Sequence, residues 1–380
     1  MLNIVLKYGL SSLILLTSAC SANVKLPITP DLSTVPQQSA TRVWPTVERL
    51  SAPDGLRPCC AFGYNLKAQA LGIPVPFYQL NNVVEADSLG EHHYNDSLFG
   101  AVANLMGISS EQDGLLYTTR GGFIDIAHVR DTADMTLYLF SHIWPQLGQA
   151  QTIELSQELA KRKITLFAFT PPQDEAERFT LAAYLSSYLA FQVAAWHEIA
   201  QWYGFESVSG FSEGISAFSP EDLYSNLVGA RLATSLILQG HTASVAQFNV
   251  AMQTVLPDAL HRLGAVDASD TRFQFDMLDD NWWNSHRAVP EKFLVLKRNY
   301  LTEDDRVPTP VPGEQVKPLR LQLPSEWAGL KMQVLGELQL WPGRSMKQLP
   351  APAKYYTFRD FPALALHARV EDAVDLSAQK

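Results

Sequence analysis

The sequence predicts an α+β fold: a mainly helical main domain with a few short strands, followed by a small C-terminal β-rich region. Three observations carry this prediction. Several long stretches repeat apolar residues at helical spacing. Short segments such as "KITLFAF" (163–169), "LRLQL" and "LKMQVLGELQLW" run apolar or alternate over strand length. Pro-rich segments set off both ends of the helical part.

The chain opens with "MLNIVLKYGLSSLILLTSAC". One basic residue, Lys7, precedes an apolar and small-residue run from Tyr8 to Ala19. A bilayer span needs about 20 apolar residues, so this run reads as an export signal. Thr17-Ser18-Ala19 before Cys20 resembles the bacterial lipoprotein box, in which the cysteine receives lipid and becomes the mature N-terminus. By the same resemblance, Ser21 after the cysteine implies sorting to the outer membrane, facing the periplasm. Simple secretion without lipid is the alternative. Residues 20–58, rich in Pro, Ser and Thr, read as a lipidated Cys and tether.

Residues 73–85 read as extended, and Leu115–Thr119 as a short strand. After a break at Gly121-Gly122, a helix is expected from Ile124 to about Leu147, with Ala127, Leu137, Phe140 and Trp144 on its apolar face. The strand in 163–169 leads to Pro171-Pro172 and an acidic cluster, which suits a helix N-terminus. That helix runs to Tyr203, where Gly204 stops it. It is uncharged from Phe179 to Trp196. Thr180, Ser186, Ser187 and Gln192 interrupt the run, so a buried core helix is favoured over a membrane span. Ser219 caps the next helix, with Pro220, Glu221 and Asp222 in its first turn. A further helix covers about 242–256. The resulting boundaries are a signal at 1–19, the tether at 20–58, a main α-rich domain at 59–305, and a Pro-rich connector with a small β region at 306–380.

The formal charge is −10, and losing the signal removes one Lys and gives −11. This acidic, unclustered balance argues against nucleic acid as a partner. Hydrophobic residues make up 47% of the chain, enough to fill a sizeable core. Besides Cys20 there are only the adjacent Cys59 and Cys60, so there is no disulfide framework.

Four constellations could carry chemistry. "HEIAQ" (197–201) departs from the zinc-protease pattern H-E-x-x-H at its last position. Positions i and i+4 share a helix face, so His197 and Gln201 could face one ion while Glu198 acts as base on bound water. Gln is a poor zinc ligand, so Glu213 in "GFSEGISAF" is a candidate carboxylate ligand. The competing reading is a hydrogen-bonded core His and Glu. "GGFIDIAHVRD" places Asp125, His128 and Asp131 three residues apart, fit for a metal ligand and its orienting carboxylate, or for a capping Asp and a packed His. "GEHHYND" offers His92 or His93 as a further ligand, or is an exposed loop. In "RPCC", Cys60 with His128 or His197 could form a thiol nucleophile, or the pair is simply buried or oxidised. Zinc or another divalent metal is therefore the candidate cofactor.

"RPCCAFG", "YTTRGGFIDIAHVRD", "WHEIAQWYG" and "GFSEGISAFSPEDLYSN" together resemble a family of bacterial lipoproteins, domain of unknown function 4056, over roughly residues 50–300. The resemblance implies an exported, membrane-attached protein and carries no activity, substrate or catalytic residue with it. Similarity to H-E-x-x-H metalloproteases is local and ends at Gln201. Three function classes stay open: a metal-dependent, peptidase-like hydrolase; a non-enzymatic envelope lipoprotein that binds a partner; and a Cys-dependent hydrolase or acyltransferase. Peptide or peptidoglycan substrates fit the compartment.

If Cys20 carries the lipid, metabolic labelling with a radioactive palmitate will mark the wild type and leave Cys20→Ser unlabelled. Equal labelling of both removes the lipoprotein reading.

Overall fold

The computed structural model describes residues 30–33, 40, 43, 48–53, 56–57, 61–70, 73–80, 82–95, 110–206, 212–343, 349–350, 352 and 354–378. In chain order these form β1 (Leu66–Ala70), β2 (Ile73–Leu80), β3 (Leu115–Thr118), β4 (Gly122–Asp125), α1 (Ile126–Ile143), β5 (Gln151–Glu154), β6 (Lys161–Leu166), α2 (Glu175–Trp202), α3 (Asp222–Leu238), α4 (Val245–Arg262), α5 (Ala268–Leu278), β7 (Ala288–Val289), β8 (Asp305–Arg306), β9 (Leu321–Gln322), β10 (Glu326–Trp327), β11 (Leu330–Lys331), the single turn α6 (Met332–Leu335), β12 (Gly336–Trp341) and α7 (Phe361–Ala378). The α+β class holds, with helices dominant.

Helices α1, α2 and α3 pack on one another and form the centre of the larger core. Every residue of α3 is buried, and α2 is buried along most of its length from Phe179 to Gln201. A helix apolar all round belongs in an interior. Among the described residues, no helix is long and apolar enough to cross a membrane. The core reading of α2 therefore stands on its packing.

The central contact is the approach of α3 to α1. A Cβ at Gly229 would lie 2.1 Å from the backbone oxygen of Val129. Only glycine lets the two backbones come this close. The approach also docks the start of α1 on the first turn of α3: the Asp125 N–H donates to Ser225 Oγ at 2.9 Å, and Ser225 donates to the Glu221 carbonyl at 2.9 Å.

Several boundaries differ from the sequence reading. Gly121-Gly122 lies in a hairpin and is not a break before a helix: Gly121 ends the turn, Gly122 opens β4 opposite Thr118, and α1 begins only at Ile126. Gly122 has φ +65°, which favours glycine there. α1 gives way at Trp144 to a 3₁₀ turn containing Pro145. α3 starts at Asp222, and Ser219 donates to the Glu221 carboxylate instead of capping the helix. α4 runs through Pro257 to Arg262.

The C-terminal stretch is not β throughout. "LKMQVLGELQLW" contains the helical turn α6, and the chain continues into the eighteen-residue α7. Within that stretch β12 joins a three-stranded antiparallel sheet in the order β12-β6-β5, with Leu338 opposite Ile164. α7 packs on α2.

The described parts of 30–57 are tied to the same helices. Arg231 donates to the carbonyls of Asp31 and Ser33, Ala40 N–H to Thr180, and Leu50 N–H to Ser141. Arg57 is buried against Glu111, Asp131 and Asp134.

Gly229→Ala sets two effects against each other. Alanine favours a helix interior by about 1 kcal/mol over glycine. Overpacking a tight contact costs about 1–3 kcal/mol, and here the obstacle is backbone, which cannot rotate away. A net loss of roughly 1–2 kcal/mol by urea denaturation is expected. A stabilised Gly229→Ala would contradict the close approach.

Candidate metal centre and adjoining cleft

Three helices bring carboxylates to one point. Asp125 is the N-cap of α1; its Oδ1 accepts the backbone N–H of Ala127 at 2.8 Å and of His128 at 3.4 Å. That leaves Oδ2 buried without a hydrogen bond. One turn on, His128 projects from α1 toward α3, with Nε2 3.5 Å from Asp222 Oδ1. Glu198 comes from α2. Its Oε2 accepts the Phe218 N–H at 2.7 Å, and its Oε1 lies 4.0 Å from His128 Nδ1. Asp222 opens α3. Asp125, His128 and Asp222 each offer a ligand atom, and these atoms lie within 4.8 Å of one another.

The group is short of partners. Asp125 Oδ2, Glu198 Oε1 and both oxygens of Asp222 are buried without a hydrogen bond from an N–H or hydroxyl, and the Glu198 and Asp222 carboxyls lie close enough to share a proton. An unpaired buried carboxylate costs several kcal/mol, and proteins avoid it by protonation or by a cation. Burial pushes Asp125 up to about 6, against the pull of His128. Burial and then Glu198 push Asp222 well above the carboxylate range. Burial and Asp125 do the same to Glu221, although Ser219 donates to it. Two buried arginines lie in the surroundings, but neither donates to these oxygens. Arg298 gives its hydrogen bonds to the carbonyls of Ala217, Gly214, Ile215 and Lys292. Arg306 gives one to the Leu301 carbonyl. Arg298 thereby pins the turn whose last residue, Phe218 at φ +57°, aims its N–H at Glu198.

The imidazole is oriented. Thr132 donates to Asn226 Oδ1 at 2.6 Å, and the Asn226 amide nitrogen lies 3.1 Å from His128 Nδ1. Nδ1 is thus held by α3's amide, and Nε2 faces Asp222.

His128, 7% exposed, also lines a cleft, whereas Asp125, Glu198 and Asp222 are fully buried. The cleft encloses about 730 Å³ of empty space, open solvent at its mouth included. His197 stands on the same cleft.

The sequence candidates fall into distinct places. Asp125 and His128 meet in the group with Asp222, and Glu198 stands beside His128. His197 is not in the group: its Nδ1 faces Glu158 Oε1 at 3.5 Å. Successive residues on a helix point about 100° apart, so His197 and Glu198 serve different neighbourhoods. Gln201 donates to Glu213 at 3.2 Å, and neither joins the group. Asp131 binds Arg57 at 2.8 Å. His92 is buried on Asp134 at 3.0 Å, away from the group, and His93 is at the surface near Ser110 and Glu91. Cys20, Cys59 and Cys60 lie outside the described residues. Sequence reasoning does not single out Asp222 as a site residue, because an acid in a first turn suits the helix dipole equally well.

Fold and group together define an α+β protein with a buried carboxylate–imidazole cluster able to hold a metal ion. Residues 47–312 match the family described as protein of unknown function (DUF4056), and the chain belongs to that family. No curated protein and no solved structure matches it.

The raised Asp125 fixes a sign. Its protonated form is favoured by folding, so its stabilising contribution is complete below the ordinary carboxylate value and is lost as pH rises through about 6. In metal-free protein, ionised Asp125 then costs on the order of 3 kcal/mol. Asn keeps the cap. Asp125→Asn, measured with chelator, should therefore gain stability over wild type near pH 7.5 and little near pH 4. An equal difference at both pH values would show that the carboxyl is not strained.

Proposed function

We propose that this chain is an exported, lipid-anchored envelope protein whose Asp125–His128–Asp222 group holds a divalent metal ion for a hydrolytic reaction in the cleft. The observation that carries the metal reading is the set of four buried carboxylate oxygens without a hydrogen bond from an N–H or hydroxyl, delivered by three helices beside one imidazole.

The donor set fits an ion. One imidazole with carboxylates and no sulfur suits zinc, manganese or iron. Asp125 and Asp222 would hold it with His128 Nε2. The Asn226 amide is nearly symmetric in shape. Turned over, it presents Oδ1 to a His128 Nδ1–H and its nitrogen to Thr132, which frees the Nε2 lone pair for a ligand bond. Glu198, fixed through Oε2 by the Phe218 N–H, keeps Oε1 available to accept a proton. A bound ion would supply an acidified water and polarise a carbonyl.

One observation favours a second reading, a purely structural ion in a partner-binding lipoprotein: Asp125 and Asp222 have no exposed surface. Structural sites are closed, while catalytic sites keep a position open to substrate. The reach of His128 into the cleft favours the catalytic reading. Peptide or peptidoglycan substrates suit an outer-membrane lipoprotein facing the periplasm, anchored through lipid on Cys20.

The test is metal content after purification and reloading with zinc or manganese. Wild type should hold one equivalent, and Asp222→Asn and His128→Ala should lose it. His197→Ala should retain it. Wild-type protein that takes up neither ion, or loss confined to His197→Ala, would overturn the assignment.

A further inference from the structure

Besides His128, the cleft is lined by residues of β6 and the chain before it, and of α2. Arg162 binds Glu158 Oε2 at 2.7 Å, and it also donates to the carbonyl and hydroxyl of Ser156, each at 2.7 Å. Glu158 Oε1 faces His197 Nδ1. The backbone oxygen of Glu158 accepts the Trp196 indole N–H at 3.1 Å. Glu158 is thus fixed from both ends, with its Oε1 standing 3.5 Å from the imidazole. With Nδ1 on Glu158, Nε2 is the nitrogen that His197 offers to the cleft. It makes no hydrogen bond to any described residue. Phe205 packs edge-on to the ring and holds its plane. His197 is otherwise buried, with 6% exposed.

Each basic side chain lining the cleft already faces a carboxylate, His128 those of Asp222 and Glu198. Arg57 is held by Asp131, Arg162 by Glu158, and His197 by Glu158, with Glu198 and Glu213 adding negative potential around it. A charged ligand would find no free counter-ion there. An anion would also meet those carboxylates, and a cation would meet the imidazole and both arginines. What the cleft still offers is a hydrogen-bonding nitrogen and a set of aliphatic side chains that includes Leu56, Met135, Val193 and Ala194. We infer that the cleft binds a neutral amide bearing a short aliphatic side chain, with His197 Nε2 hydrogen-bonded to its amide group and the side chain against Val193 and Ala194.

Glu158 supports this assignment. Burial alone would lower the His197 pKa, but Glu158, with Glu198 and Glu213 behind it, offsets burial and raises it. In the neutral ring Nδ1, against the Glu158 carboxylate, holds the hydrogen and Nε2 accepts an amide N–H; in the imidazolium form Nε2 donates to the amide oxygen, so an amide group serves both. The inference deepens the proposed hydrolytic function by naming its substrate class, and it rests on that reading only for the bond cleavage after binding.

Binding is therefore tested on metal-free protein in chelator, by NMR of ¹³C-labelled histidine rings. The three probes are N-acetylvaline methylamide, isovalerate and isobutylamine. The amide should shift the His197 signal saturably, and the two charged probes should bind more weakly. Ala194, partly exposed on the cleft wall, gives a mild variant: Ala194→Leu should weaken the amide about tenfold or more through lost space, with the free His197 signal unmoved. His197→Leu should weaken the amide as well, monitored by the His128 signal. Tighter binding of either charged probe, no saturable shift with the amide, or amide binding indifferent to Ala194→Leu would overturn the inference. Because no metal is present, failure here and failure of the metal reading are separate results.

Discussion

The contact on which the site depends is the approach of two helix backbones at Gly229 and Val129. Were α3 to stand one side chain farther from α1, the Asp125 N–H would lose Ser225, and His128 would lose Asn226. The group would then be scattered over two helices that no longer touch. Glycine in a helix interior costs helix stability, and this position uses that cost to bring an N-cap, an imidazole and a first-turn carboxylate together. α2 completes the group from the third side with Glu198, held by a turn that Arg298 ties down.

Charge explains why the arrangement calls for something further. Asp125, Glu198, Glu221 and Asp222 are buried together, and His128 is the one basic side chain among the described residues within 4.0 Å of their oxygens. Around Arg57 two buried acids fare differently, although burial still pushes their neighbour Asp131 up to about 6. Glu111 and Asp134 would be raised by burial, yet Arg57 holds both below the ordinary carboxylate range. Asp134 has an arginine at 3.0 Å and Asp222 has none within 4.0 Å among the described residues, which separates an ion-pair network from a group that could hold a cation. Its neutralisation by protons alone would leave a carboxyl group such as Asp222 far from its solution behaviour at neutral pH.

Much of this is legible in the sequence, and the illegible part has physical causes. Helical periodicity locates α1; the acidic cluster and Gly204 bound α2; and Pro220 with the two acids after it marks the start of the α3 region, while the three-residue spacing in "DIAH" puts Asp125 and His128 on one face. The near-match "HEIAQ" points to the right helix, but a linear motif cannot say that its two residues face different neighbours. Asp222 reads as a dipole-favouring acid because that explanation is local and sufficient. The available signal is that Glu221 and Asp222 open a helix whose other residues are almost all apolar or small. A carboxylate at the head of a wholly buried helix must meet a partner in the core. α6 and α7 hide in a stretch whose alternation suggests strands. The capping box of Thr357 and Asp360, just ahead of α7, is the cue.

X-ray absorption spectroscopy of zinc-loaded wild-type protein tests the central claim most directly. The expected spectrum has a shell of oxygen and nitrogen donors at about 2.0–2.2 Å, with the outer-shell scattering of a single imidazole and no sulfur. A sulfur shell at about 2.3 Å would place the ion on the cysteine pair. Scattering from two imidazoles would place it between His128 and His197, and either result would contradict a centre built on Asp125, His128 and Asp222.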